Sequence, residues 1–336
     1  MSIIRRAGML VVVALAFSHP PRRAASANNP TGARITQAPA APRESTADFK
    51  VTLLGTGTHA PRPDRFGEST LVEAGSERLV FDCGRSCTTR LWQLKIPLGT
   101  VKLFITHLHA DHTVGIPDLW LTGWLPMPYG SRRELFRVWG PKGTEEMMAD
   151  LQKAYRSNIQ TPRSFTLSQA QVGIDAKDFT EGLVYDENGV RVTAFKVKHG
   201  EIDAFGFRVD YKSRSVVISG DMSPNENFIK YGQGADVVIH EVAAARPELL
   251  GKSAGVSRIA ANHCTPEDAG KNLARIKPRL AVYTHFALFS GEGISEVTVP
   301  EIITRTRTTY SGPLEAGEDL MSISIGDRIA IQRYSE

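Results

Sequence analysis

Three imidazoles and one carboxylate fall within six residues at His107-Leu108-His109-Ala110-Asp111-His112. Neutral imidazole and carboxylate are the first-choice ligands of Zn²⁺ and similar ions. His107 and His109 alternate across one residue, so both can address one ion. Asp111 and His112, one turn further on, can face a second. The cluster directly follows the apolar run 102–106, which has the character of a buried strand. Two cations held this way lower the pKa of a water and stabilise charge on the centre it attacks. A surface loop that carries three histidines by accident is a poor account of the segment.

Further elements must bring ligands to that turn. Short apolar runs recur at 49–54, 69–74, 78–81, 136–139, 190–197, 205–211, 215–219, 236–239 and 280–284, and each suits a strand. The runs 321–325 and 328–331, joined at Gly326-Asp327, predict a closing hairpin. Helical patterns occupy 144–155, 266–276 and 299–308; Thr265 precedes Pro266 as an N-cap, with proline in the first turn. Strands and helices mixed in both halves predict an α/β fold of sheets covered by helices. Two strand ends read alike, Phe104-Ile105-Thr106-His107 and Val282-Tyr283-Thr284-His285. A site assembled at strand ends from both halves of the chain follows.

The 336 residues are 41% hydrophobic and 23% charged, a globular balance that excludes a fibrous or largely disordered chain. The formal charge of +4 is concentrated at the start. Arg5-Arg6, an apolar run over 7–17 and Ala25-Ser26-Ala27 are the three parts of a secretory signal peptide, so residues 1–27 predict a periplasmic or secreted protein. The run is shorter than the roughly 20 residues of a permanent span, so no stable membrane span is expected. Residues 28–48, rich in Pro, Ala and Ser, read as a flexible leader. Cleavage near Ala27 removes Arg5, Arg6, Arg22 and Arg23 with no acid and leaves the rest neutral. Bulk attraction to a phosphate backbone then disappears, although Arg132-Arg133 remains as a local basic pair. Cys83, Cys87 and Cys264 are too few for a disulfide scaffold and are expected as free thiols.

The His107–His112 segment resembles the HxHxDH signature of the metallo-β-lactamase-fold superfamily. The order of His199, Asp221 and His285, each after a strand, is similar to that family, as are Leu54-Gly-Thr-Gly57 and Phe81-Asp-Cys-Gly84. The resemblance implies a four-layer αββα sandwich over residues 49–336, with the site at one edge between two sheets. It implies that His107, His109 and His199 hold one metal, that Asp111, His112 and His285 hold the other, and that Asp221 bridges them. Two divalent ions are implied, Zn²⁺ first, with Mn²⁺ or Fe²⁺ as alternatives. Aspartate at 221, where the zinc β-lactamases often carry cysteine, favours a binuclear hydrolase over a lactamase.

Within the superfamily the chain resembles the ribonuclease Z and arylsulfatase-like branch. Asp64-Arg-Phe-Gly-Glu-Ser69, His240-Glu241 and His263-Cys-Thr-Pro-Glu267 carry this likeness. The last two are similar to that branch's HEAT and HST motifs, with Val242 and Cys264 as departures. The likeness implies catalytic roles for Asp111, Glu241 and His263, Glu241 orienting His263 as general acid. Two activities remain open. One is an exported hydrolase that cleaves a small ester, such as an aryl sulfate or phosphodiester, by attack of a hydroxide shared by the metals. The other is a ribonuclease Z-type endonuclease acting on tRNA 3′ ends. The export signal, the neutral remainder and the 22 residues from His199 to Asp221, too few for a tRNA-binding arm, favour the first. Expected partners are therefore a small ester, with nucleic acid disfavoured, and a second copy in a homodimer. The aromatic segment 120–129 can line a leaving-group pocket or pack in the core. Of nine histidines, His19 lies in the expected signal segment, and His59 and His240 have no assigned role.

Overall fold

The apolar runs pair into two mixed sheets in the computed structural model, which describes residues 48–335. The expected signal peptide over 1–27 and the leader over 28–48 lie outside the described residues, Asp48 excepted. The first sheet runs Ile329–Gln332, Ser322–Ile325, Phe49–Gly55, Ser69–Ala74, Glu77–Phe81, Lys102–Phe104, Phe136–Gly140 and Ile174–Asp178. The second runs Leu314–Ala316, Leu280–Leu288, Val237–Ala244, Arg214–Ile218, Ile202–Tyr211, Val190–His199 and Gly182–Glu187.

The sheets face each other across a core that includes Phe81, Phe104 and Trp139 from the first and Phe207, Val216 and Ile239 from the second. Helices cover both outer faces. Leu91, Trp120 and Met148 bury the helices Cys87–Gln93, Ile116–Gly123 and Thr144–Ala154 on the first sheet. Phe228, Leu273 and Ile302 do the same for Glu226–Gly232, Pro266–Ile276 and Val299–Thr306 on the second. This is the αββα sandwich. Among the described residues no helix is long and apolar enough to cross a membrane.

The expected helix 266–276 forms with its bounds unchanged, because Thr265 accepts the Asp268 amide and Pro266 needs no donor there. The strands Ile174–Asp178 and Gly182–Glu187 went unread. Both are edge strands, half-buried and poor in apolar residues, so pairing rather than an apolar run makes them. The first half of the aromatic segment 120–129 ends the helix Ile116–Gly123, and Trp120 and Trp124 are buried in the outer core. Packing, not pocket lining, is their role. The expected basic pair is also corrected. Arg132 is buried, and its guanidinium donates to the carbonyl of Trp120 at 2.9 Å and lies over the Phe136 ring. Burial pulls its pKa down to about 10, so it stays charged inside the fold and adds nothing to a surface patch.

Glu77 joins the two sheets. Its carboxylate accepts from Lys102 Nζ at 2.5 Å on its own sheet, and from Tyr185 Oη at 2.7 Å and Asn188 Nδ2 at 2.6 Å on the other side. Burial alone would raise this carboxyl; the Lys102, Tyr185 and Asn188 donors outweigh it and leave the pKa lowered. A carboxyl depressed in the folded state stabilises the fold above its ordinary value near 4.5, and that contribution is lost as pH falls through the folded value. Glu77→Gln should therefore lower the denaturant midpoint at pH 7, and the gap to wild type should close as pH drops below 4.5. Unfolding curves at several pH values check this; a gap independent of pH would refute it.

Candidate metal centre

The turn that leaves the strand Lys102–Phe104 is built by Asp82, which adopts a left-handed backbone (φ 59°) after Glu77–Phe81. Asp82 Oδ1 accepts the Thr106 amide at 2.8 Å, and Oδ2 accepts the Thr106 hydroxyl and His112 Nδ1, both at 2.7 Å. His112 is thereby held with Nε2 free. The Thr106 hydroxyl lies 3.0 Å from His107 Nδ1. Since it donates to Asp82, it accepts from that ring and leaves His107 Nε2 free as well. His199 Nδ1 donates to the Asn262 carbonyl at 2.9 Å with the same effect. Each imidazole is thus fixed through its far nitrogen, which sets its tautomer and aims the other one. The turn can lie this close only because residue 84 is glycine: a Cβ there would stand 2.4 Å from the Asp111 carbonyl oxygen.

His285 arrives by a different device. On the strand Leu280–Leu288, Thr284 pairs with Glu241 and Phe286 with Val242, so His285 is the extra residue of a β-bulge. Its φ of 41° is strained for a non-glycine and turns the ring inward. His285 Nε2 lies 3.3 Å from Asp111 Oδ2 and 3.4 Å from Asp221 Oδ1. Asp221 follows Gly220 (φ +59°) after Arg214–Ile218 and stands at the centre. Its Oδ2 is 3.5 Å from His112, 3.7 Å from His199 and 3.9 Å from His107.

All seven side chains therefore converge. His107, His109 and His199 form one triad with nitrogens within 4.8 Å of one another, Asp111, His112 and His285 a second, and His107, His112 and Asp221 link them. His107 Nε2 and His109 Nδ1 are 2.9 Å apart. Ligands around a tetrahedral ion at about 2.1 Å stand about 3.4 Å apart, close to the spacings seen here. His112 Nε2 and Asp221 Oδ1 are buried and make no hydrogen bond, which is costly unless something else satisfies them.

The electrostatics point the same way. Burial lowers the pKa of His107 and His199 and keeps them neutral, as ligands must be. Burial alone would raise the Asp111 carboxyl, but His285 and His112 hold it down at about 2. Asp221 lies well below the usual carboxylate range, burial being outweighed by His285 and His112. Burial would lower His285, but Asp221 and Asp111 push it up to about 9. His112 is raised in the same way by Asp221 and Asp82. Protons on these two rings supply the positive charge the carboxylates call for, and a divalent cation between the same atoms would supply it in their place. The donor set fits two divalent ions. Glu68, buried behind His285 and accepting from the Thr284 hydroxyl at 2.8 Å, is pushed up to about 7 chiefly by burial.

Beside the cluster lies a His–Glu pair. Glu241 Oε1 accepts the Cys264 amide at 2.7 Å, and Oε2 lies 3.3 Å from His263 Nδ1. The His263 ring stacks on His285 (5.7 Å, 19°) and lies 4.9 Å from His199. His240 turns away into the core, its Nε2 3.3 Å from Asn272 and its ring against Phe228. His59 reaches Asp111 from the opposite rim, at 3.1 Å. Sequence reasoning gave no role to Asp82, Thr106, Asn262 or His59; the turn Phe81-Asp-Cys-Gly84 after a strand was the available signal for the first. The three cysteines are buried free thiols.

Such a fold and site define a metal-dependent hydrolase acting on ester or phosphodiester bonds. The family description "Beta-lactamase superfamily domain" matches residues 77–286. A ribonuclease Z of Mycobacterium avium is 31% identical over 288 residues, 82% of this chain and 98% of the relative. The structure of the short form of human tRNase Z superposes with a TM-score of 0.59 at 27% identity, covering 82% of this chain and 99% of that one. A metallo-beta-lactamase fold protein from Bacillus subtilis gives 0.63 at 18% identity and supports the fold alone. The chain belongs to the beta-lactamase superfamily, among the homologues of ribonuclease Z.

That membership corrects the expected partners. A small ester with nucleic acid disfavoured does not stand against relatives that are ribonucleases over nearly their whole length. The physical error lay in using a whole-chain charge sum, which carries no information on the potential at one cleft. The tight turn at Gly200-Glu201, between Val190–His199 and Ile202–Tyr211, shows that no arm is inserted there. It does not set the substrate.

Proposed function

We propose that this chain is a metal-dependent phosphodiesterase of the ribonuclease Z type, cleaving RNA at tRNA 3′ ends. The observation that carries the reading is the convergence of seven ligand-type side chains, with Asp221 at their centre, in a chain aligned with ribonuclease Z over 98% of the relative's length. His107, His109 and His199 would hold one divalent ion, Asp111, His112 and His285 another, and Asp221 both. When bound, the ions supply an activated water and positive charge around the phosphoryl oxygens. Asp82, Thr106 and Asn262 keep the imidazoles in register through their far nitrogens. Glu241 holds His263 by Nδ1, which leaves Nε2 to give a proton to the departing oxygen.

The small-ester reading gives way because only the RNA reading draws on the relatives. Purified protein should cleave pre-tRNA far faster than bis(p-nitrophenyl) phosphate or an aryl sulfate, and lose all turnover when chelated. Turnover of aryl sulfate with none on pre-tRNA would overturn the proposal. We propose separately that residues 1–27 direct export, which would place the RNA this chain meets outside the cytosol; N-terminal sequencing of protein from a periplasmic extract should begin at Asn28, and an intact Met1 there would refute it.

A further inference from the structure

We propose that His59 is a positioning residue for Asp111: it occupies one carboxylate oxygen so that the other alone faces an ion. The inference rests on the ligand assignment proposed above. Asp111 is buried, and its Oδ2 faces His285 at 3.3 Å and His112 at 3.7 Å. Its Oδ1 is buried too and has no aligned hydrogen bond. His59 Nε2 stands 3.1 Å from that atom, within reach but off the ideal line, on a side chain that is itself 65% exposed. An exposed imidazole is not held over a buried carboxylate by packing. It is held by its loop.

That loop is clamped at both ends. At its neck, the Thr56 amide and hydroxyl donate to Asp319 Oδ1 at 2.9 and 2.8 Å, while the Phe66 amide and Arg90 Nη2 donate to Oδ2 at 2.8 and 3.0 Å. The Gly57 amide donates to the Phe66 carbonyl at 2.7 Å and closes the ring. At the tip, Arg85 Nη1 donates to the His59 carbonyl at 3.4 Å. His59 is thereby delivered to the mouth of the site, its ring 6.2 Å from that of His109. A carboxylate can ligate through one oxygen or both, and an N–H donor on Oδ1 selects the first. A donor outside the ligand set that orients a ligand in this way is a device by which proteins tune ion affinity.

The test is calorimetric titration of metal-free wild type, His59→Ala and His59→Gln with Zn²⁺, together with the visible spectrum of the Co²⁺ forms. Wild type should take two ions. His59→Ala should keep the affinity of one ion and lose about 10–100-fold in the other, the range found when such orienting groups are removed, with an altered Co²⁺ band. His59→Gln should restore most of the affinity, since its amide N–H reaches the same oxygen but ligates poorly. Wild-type isotherms from His59→Ala would overturn the inference. A His59→Gln variant as impaired as His59→Ala would overturn it too, since His59 would then be a ligand. Fewer than two ions on wild type would sink the ligand assignment and this inference with it, and that result is visible before any variant is made.

Discussion

Asp221→Ala is expected to reduce phosphodiester cleavage by at least about 1,000-fold, because a two-cation site supplies several kcal/mol and each 1.36 kcal/mol is tenfold in rate. The size of the effect follows from position. Among the described residues, Asp221 is the one carboxylate that approaches His107 and His199 on one side and His112 and His285 on the other. Removing it takes a shared ligand from both triads, and with it the carboxylate that does most to raise His112 and His285. Bound metal, measured by elemental analysis after dialysis, should fall below two ions per chain. Far-UV circular dichroism separates this from unfolding. A folded Asp221→Ala protein with two ions and full turnover would end the assignment.

His263→Ala carries the second large effect, and its signature is selectivity rather than size alone. General acid catalysis contributes about 100- to 10,000-fold, so RNA cleavage should fall by that factor. Bis(p-nitrophenyl) phosphate releases a phenolate that departs with little help from a proton, and its hydrolysis should fall by less than about tenfold. Glu241→Gln tests the same relay from behind. Glu241 Oε1 must accept the Cys264 amide, so the other atom of a glutamine would present N–H toward His263 Nδ1 and disfavour the doubly protonated ring, which keeps one proton on Nδ1 and gives the other from Nε2. Its losses should parallel those of His263→Ala. Equal losses on both substrates would assign the pair a structural role.

The metal turn was legible in the sequence because four ligand-type residues are local: a spacing of two, then two, then one is visible in any linear reading of 107–112. Strands with continuous apolar runs were legible for the same reason, as was the helix Pro266–Ile276 with its Thr265 cap. His199 and Asp221 carry no such local mark and were placed by resemblance alone, whereas His285 was marked by a strand end that reads like the one before His107. What brings them together is the packing of one sheet against the other, across up to 174 positions from Asp111 to His285.

Three matters were decided by tertiary structure only. The bulge that turns His285 inward depends on its register against Glu241 and Val242, and register is a property of two strands. The orientation of the His112, His107 and His199 rings depends on Asp82, Thr106 and Asn262, whose roles exist only once the elements are adjacent. The fate of individual charges was decided the same way: Arg132 is drawn inside by helix-end carbonyls, while His59 is carried to Asp111 by a loop whose neck Asp319 clamps from 263 residues away. Composition sums such groups without location. Local spacing determines which chemistry is available, and long-range packing determines which atoms meet to perform it.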